Sequence, residues 1–239
     1  MKILAVPDIH LKTEILDKAE QILSEGKADK CVFLGDYNDE WGCEEDTEKY
    51  ISVYERITAF DEKHPDTLWC YGNHETCYMW ERLQSGFSHK NIELIRHNLL
   101  ALKCRMGDRL NFIHKIDRVL FSHAGITEQF VMKNVNIRRP DDEIIQILND
   151  IGNSEAGKFA YWNDISPIWY RPDINYAVFK PNKYLQVTGH TPVKNIHKEQ
   201  RALLMCDTFS LYSDYRPIGD KSMAVIDTTT KEIEICIMQ

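Results

Sequence analysis

The sequence predicts an α/β fold in which two mixed β-sheets lie face to face with helices outside. Three observations carry this. The chain begins strand, helix, strand over Lys2–Val6, Thr13–Glu25 and Cys31–Leu34, the spacing of a βαβ unit with a parallel strand pair. After His97 the pattern changes to short apolar runs separated by turn residues, which read as hairpins of a second, more antiparallel sheet. Finally, oxygen and nitrogen ligands recur where apolar runs end. Asp8-Ile9-His10 follows Ile3–Val6, Gly35-Asp36 follows Cys31–Leu34, and Gly72-Asn73-His74-Glu75 follows Leu68–Tyr71. Ser122-His123 follows Val119–Phe121, and Gly189-His190 follows Tyr184–Val187. Open α/β sheets build their sites at such strand ends.

In order, Lys2–Val6 is the first strand and runs into Pro7-Asp8. Thr13–Glu25 places Ile15, Leu16, Ala19, Ile22 and Leu23 on one helical face, with Thr13 or Asp17 available as a cap and Gly26 as a stop. Cys31–Leu34 is too apolar for a solvated loop, so Asp36 stands where core gives way to cleft. Glu44–His64 is the next helix, with Tyr50, Ile51, Val53, Tyr54, Ile57 and Phe60 on its buried side. Its acidic first turn suits the positive helix end, and Pro65-Asp66 breaks it. Thr67–Tyr71 is the third strand, Gly72-Asn73-His74-Glu75 opens a loop, and Cys77–Leu83 is a short helix. Leu99–Cys104, Leu110–His114 and Arg118–Ser122 read as strands, with turns at Gly107-Asp108 and Lys115–Asp117. Thr127–Lys133 and Asp141–Ile151 read as helices capped by Thr127 and Asp141. Residues 153–182 are rich in aromatics, Pro and Asn and carry only a helix at Ala156–Trp162; long irregular stretches of this kind often form substrate loops. Tyr184–Thr188, Ala202–Cys206, Ser222–Asp227 and Glu232–Ile237 complete the strands, the last two as a hairpin across Thr228–Lys231. No repeat, low-complexity tract or linker interrupts the chain, so residues 1–239 read as one domain.

A chain of 239 residues, 43% hydrophobic and 28% charged, can bury a substantial core. Its net charge of -8 and lack of a basic tract give no support to nucleic-acid or membrane binding, and the acidity suits a cation site. Seven scattered cysteines, an odd number with no Cys-x-x-Cys pair, point to a reduced, cytoplasmic setting. Met1–Pro7 is too short for a signal peptide, and no apolar run approaches membrane-spanning length.

Asp8 and His10 are two apart and can converge on one ion just past a strand end. Alone they would be an ordinary loop pair; the other strand-end motifs reverse that reading. Carboxylate, imidazole and amide oxygen together suit a divalent first-row ion such as Mn²⁺, Fe²⁺ or Zn²⁺. Two ions about 3.5–4 Å apart can clamp the attacking and leaving oxygens of a phosphoryl displacement. That arrangement needs a shared carboxylate, and Asp36 is the candidate.

Asp-x-His, Gly-Asp-x-x-Asp (Gly35 to Asp39), Gly-Asn-His-Glu, a lone strand-end His and Gly-His-Thr stand here in the order of the calcineurin-like metallophosphoesterases, which the chain resembles from Asp8 to Pro192. His123-Ala124-Gly125-Ile126 and Gly189-His190-Thr191-Pro192 look most like the phosphoprotein-phosphatase and diadenosine-tetraphosphatase branch. The resemblance implies an αββα sandwich and two divalent ions, manganese first, with iron, zinc or nickel as alternatives. Asp8, His10 and Asp36 would hold the first ion; Asp36, Asn73, His123 and His190 would hold the second. A hydroxide bridging them would attack phosphorus in line. His74 would protonate the leaving oxygen or stabilise the pentacoordinate charge, with Asp39 orienting its ring. Asn73 would also meet the substrate. The implied substrate is phosphorylated: a phosphoprotein, a nucleotide or a dinucleoside polyphosphate.

The chain departs from that pattern in places. Where the branch usually has a phosphate-gripping Arg after Gly-Asp-x-x-Asp, Glu40 stands, followed by Trp41. That puts binding of a terminal phosphate dianion in question and tips the balance slightly toward a diester or polyphosphate. It also motivates the alternative of a non-catalytic metal-binding interaction module on the same fold. Ile168-Trp169-Tyr170-Arg171 matches a Trp-x-Arg pattern, which makes Arg171 the candidate phosphate contact. Thr191-Pro192 replaces a second His, leaving the first ion three protein ligands and making it the easier one to lose. Asp207-Thr208-Phe209 lacks the Gly of the branch's Asp-Thr-Gly and receives no role. Glu75 reads as a structural hydrogen-bond partner, and Trp80, Trp162 and Trp169 as fillers of small satellite cores rather than base-stacking rings.

Overall fold

The computed structural model describes residues 1–172 and 176–237. Its strands and helices alternate along the first half of the chain: β1 (Lys2–Val6), α1 (Glu14–Ser24), β2 (Lys30–Phe33), α2 (Thr47–Lys63), β3 (Leu68–Cys70), α3 (Asn73–Met79), α4 (Ile92–Met106) and β4 (Leu110–Asn111). The second half holds β5 (Ile113–Ile116), β6 (Val119–Ser122), α5 (Glu128–Asn134), α6 (Asp141–Gly152), α7 (Gly157–Ala160), β7 (Leu185–Thr188), β8 (His197–Glu199), β9 (Leu203–Met205), β10 (Met223–Asp227) and β11 (Ile233–Cys236). Two mixed sheets result, in the orders β11-β10-β1-β2-β3-β4 and β5-β6-β7-β9-β8. The predicted βαβ start is present, with β1 and β2 parallel and Leu4 opposite Cys31. So is the closing hairpin, with β10 and β11 antiparallel.

Side-chain alternation along β1 explains the layering. Ile3 and Ala5 point into a core shared with Val119, Phe121, Val187 and Leu204 of the second sheet. Leu4 and Val6 point the other way, into a cluster with Ile15 and Leu16 of α1 and Val53 and Ile57 of α2. One strand thus seals two layers, and the predicted αββα sandwich is the architecture observed.

Several elements differ from the sequence reading. Leu99–Cys104 is not a strand but part of α4, whose buried residues Ile95, Leu99, Leu102 and Met106 recur at helical spacing. The window Leu99-Leu100-Ala101-Leu102 is apolar throughout and hides that period, while Leu100 is in fact 66% exposed. Gly72-Asn73-His74-Glu75 is not a loop; Asn73 begins α3, which ends at Met79 rather than Leu83. Leu110–His114 is divided between β4 of one sheet and β5 of the other. Of the proposed caps, Thr127 accepts from Phe130 N, whereas Thr13 makes no side-chain cap bond. Asp141 lies inside α6, and its carboxylate is taken by Lys180, Lys183 and Tyr184. Strand β8 has no apolar pattern and owes its existence to pairing with β9. Within 153–182 the helix shortens to α7; residues 173–175 of that candidate substrate loop lie outside the described ones. No helix among the described residues is long and apolar enough to cross a membrane.

Candidate metal centre and cleft

The strand-end segments after β1, β2, β3, β6 and β7 meet at one edge of the sandwich. Their backbones are fixed first. Ile9 N and His10 N both donate to Asp36 O, at 3.0 and 2.8 Å, tying the first segment to the second. Glu75, fully buried, ties the second to the third: its carboxylate accepts from the amides of Asp36, Tyr37, Asn38 and Gly72. His10, Asp36, Asp39 and His190 stand at positive φ, 45, 52, 61 and 62°, a costly conformation for non-glycine residues that clusters at functional sites. Glycine is needed beside them for space. A Cβ at Gly72 would collide with the Asp36 carboxylate, and one at Gly189 with the Asp8 carboxylate.

The side chains that result face inward with their lone pairs. His123 Nδ1 is committed to Leu34 O at 2.8 Å, and His190 Nε2 to Trp169 O at 3.2 Å. With those nitrogens carrying the protons, His123 Nε2 and His190 Nδ1 are bare acceptors, yet they stand 3.1 Å apart. Asn73 Oδ1 lies 2.9 Å from His123 Nε2, its Nδ2 being spent on Gln84 Oε1 at 2.8 Å. Asp36 Oδ2 lies 3.3 Å from the same His123 Nε2. Four acceptors therefore converge with no proton among them. His10 repeats the design: Nδ1 bonds Asp39 O at 2.7 Å, and Nε2 looks toward Asp36 Oδ2 at 3.7 Å and Asp8 Oδ2 at 4.0 Å.

Electrostatics support the same picture. Asp8, Asp36, Glu75 and Asp207 are all at most 2% exposed. Burial, then the charges of Asp207 and Asp36, holds Asp8 well above the usual carboxylate range. Burial works the same way on Asp36, but the His123 and His74 imidazoles overcome it and hold Asp36 well below that range. Burial pushes His190 well down, with His123 adding to it, and lowers His10. Neutral imidazoles and clustered buried carboxylates form a donor set for cations, since buried charge is costly until paired. Two groups have ligand atoms mutually within 4.8 Å: His10, Asp36 and His74, and Asp36, His123 and His190. Asp36 belongs to both. Asp8 falls outside the first group, with both its oxygens accepting from His190 N at 3.2 and 3.0 Å.

The expected His74–Asp39 pair is formed, with His74 Nδ1 to Asp39 Oδ2 at 2.8 Å. Tyr50 and Tyr78 hydroxyls hold the other Asp39 oxygen. Burial alone would lower His74; the Asp36 charge and the Asp39 bond outweigh it and push His74 up to about 9. Arg171 lines the cleft, with Nη1 donating to His190 O at 3.1 Å. The cleft has a volume of about 190 Å³. Two residues enter the site without a sequence signal: Gln84 holds the Asn73 amide, and Lys12 pairs with Glu40. Asp207, given no role from the sequence, is held by Ser210 and presses its charge on Asp8.

Comparisons with known proteins agree with this fold. A cold-active protein tyrosine phosphatase matches with a TM-score of 0.61 at 17% identity, covering 98% of this chain and 78% of its own. The protein TT1561 of Thermus thermophilus matches with a TM-score of 0.50 at 10% identity over 100% of this chain and 99% of its own. At such identities these likenesses speak for the fold alone. No curated protein matches the chain. The family model of the calcineurin-like phosphoesterases, however, matches residues 1–214, a span that takes in every strand-end motif. The chain therefore belongs to the calcineurin-like phosphoesterase family, whose members are metal-dependent hydrolases of phosphoric esters.

Proposed function

We propose that the protein is a dinuclear metal-dependent phosphoesterase acting on a phosphate ester or polyphosphate. Asp8, His10 and Asp36 hold one ion, and Asp36, Asn73, His123 and His190 the other. Manganese is the first choice, with iron, zinc or nickel as alternatives. The observation that supports this reading is the convergence of His123 Nε2, His190 Nδ1, Asn73 Oδ1 and Asp36 Oδ2, a set of ligand atoms that a cation would satisfy together. When bound, the ions polarise a water nucleophile and neutralise charge developing on phosphorus.

The remaining work falls to this chain's side chains. Asp39 takes the His74 Nδ1 proton in a hydrogen bond and fixes the ring, so Nε2 faces the cleft. With Nδ1 held by Asp39, a protonated His74 can donate from Nε2 to the leaving oxygen. Water oxygen bonds phosphorus as the ester P–O bond breaks. Arg171 lies on the cleft wall to receive a phosphate oxygen. The substrate is a phosphoprotein, a nucleotide or a dinucleoside polyphosphate. A reducing, cytoplasmic setting belongs to this reading, supported by cysteines that stand unbridged.

The test is hydrolysis of p-nitrophenyl phosphate and bis-p-nitrophenyl phosphate with Mn²⁺, with and without chelator, beside metal analysis of the purified protein. Chelator-sensitive turnover is expected. Full metal occupancy with no turnover of any phosphoester would favour the non-catalytic module instead.

A further inference from the structure

The cleft wall around Arg171 is built differently from one meant for a doubly charged phosphate. Glu40 lines it, and its carboxylate is paired with Lys12. The cation that would answer a second phosphate charge is thus absorbed by an acid facing the same cleft. Gln84 also lines it. Its Oε1 is fixed by Asn73 Nδ2 at 2.8 Å, which determines which end of the amide is the donor. Gln84 Nε2 has no hydrogen-bond partner among the described residues, and neither does Trp169 Nε1 on the same wall. Orphaned buried donors are rare and call for an acceptor. Beside Glu40 the wall turns apolar, through Trp41, Pro192 and Leu211, with Trp41 Nε1 anchored on Leu211 O at 3.2 Å.

Resting on the phosphoesterase reading above, we propose that this cleft selects a singly charged phosphodiester over a phosphomonoester. Gln84 Nε2 is the specificity-determining donor to a non-bridging oxygen, and Glu40 disfavours the second charge. At neutral pH a diester phosphate carries one negative charge and a monoester carries close to two. A neutral amide suits the first; the second finds no free cation, because Glu40 holds Lys12. The second organic group of a diester rests on Trp41, Pro192 and Leu211. Water adds across one ester P–O bond; the departing alcohol keeps the proton it receives, and the other product is a monoester. That product loses its remaining acidic proton to solvent and acquires a second charge for which the wall has no free cation, Lys12 being held by Glu40.

The test compares kcat/KM for bis-p-nitrophenyl phosphate and p-nitrophenyl phosphate in manganese-loaded wild type, Glu40→Gln and Gln84→Glu. Wild type should favour the diester. Glu40→Gln should raise monoester kcat/KM about tenfold, mainly through KM, with a much smaller change for the diester. Gln84→Glu keeps an acceptor for Asn73, so bound manganese should be unchanged, while diester turnover falls at least about tenfold. A wild type that favours the monoester, or a Glu40→Gln variant that raises both substrates equally, would overturn the charge selection. Hydrolysis of neither ester by metal-loaded protein would overturn the phosphoesterase reading itself.

Discussion

Replacing Glu75 by Gln should loosen the site and destabilise the fold together. Glu75 Oε1 accepts from Tyr37 N at 2.7 Å, Asn38 N at 3.3 Å and Asn38 Nδ2 at 3.2 Å, while Oε2 accepts from Asp36 N and Gly72 N, both at 2.9 Å. A glutamine can keep its oxygen at the first position. Its NH₂ must then face the Asp36 and Gly72 amides, replacing two charge-assisted bonds with two donor–donor contacts. Bonds to charged groups contribute about 1.5–3 kcal/mol each, so the gross loss is about 3–6 kcal/mol. Against this stands relief of a buried charge: burial, then the Asp36 charge, pushes Glu75 up to about 7 despite the Gly72 and Tyr37 amides. A rise from 4.5 to about 7 corresponds to about 3 kcal/mol of such relief, which leaves a net loss of about 0–3 kcal/mol. In a chain of this size the loss corresponds to a fall in Tm of up to about 10 °C.

Unfolding by urea with chelator present, at a pH above 8 where Glu75 is ionised, measures the first effect. Manganese titration followed by calorimetry measures the second, because Asp36 keeps its positive φ only while its amide is held. An unchanged manganese Kd would refute the claim that this one carboxylate sets the ligand geometry.

Three further outcomes are expected. His74→Asn should lower kcat by about 10²–10⁴ while bound manganese stays at the wild-type level; loss of an ion would instead make His74 a ligand, as its place beside His10 and Asp36 allows. Burial pushes His114 down to about 4, with its Nε2 donating to Trp69 O, so this group's stabilisation is complete above its unfolded value near 6.5 and is lost as pH falls toward 4. Unfolding curves of wild type and His114→Gln should therefore converge as the pH falls, by about 2 kcal/mol on reaching pH 5. Leu102→Ala should cost about 2–4 kcal/mol and Leu100→Ala less than about 0.5, because helix α4 buries the first and exposes the second; a strand would place both on one face.

What could be read in advance follows from how information is spread along the chain. The strand-end ligands were legible because each sits in a short window: an apolar run, then a residue type with metal chemistry. The αββα layering was legible because β1 and β2 report their burial locally. Helix α4 was not, since its period emerges only from Ile92 onward and the run from Leu99 to Leu102 is apolar throughout. Strand β8 could not be found, as His197-Lys198-Glu199 is exposed throughout and is defined by its partner β9. Nor could Gln84, which lies in a loop eleven positions after Asn73 and matters only because the fold brings its amide there.

Motif order and side-chain geometry are separate kinds of support for a cation site, and geometry is the harder to imitate. A chain that had lost its ions could keep Asp36, His123 and His190 in sequence while their rings turned to satisfy one another. Here each ring is turned to satisfy something else. Leu34 O takes the His123 Nδ1 proton, Trp169 O takes the His190 Nε2 proton, and Asp39 O takes the His10 Nδ1 proton. The nitrogens left over point at one another and at Asp36, an arrangement that costs stability unless a positive charge lies between them. Reversing any one of these commitments would give the cluster an internal proton and remove that cost. None is reversed, so the second layer of hydrogen bonds, rather than the ligand list, is what ties this chain's fold to divalent-metal chemistry.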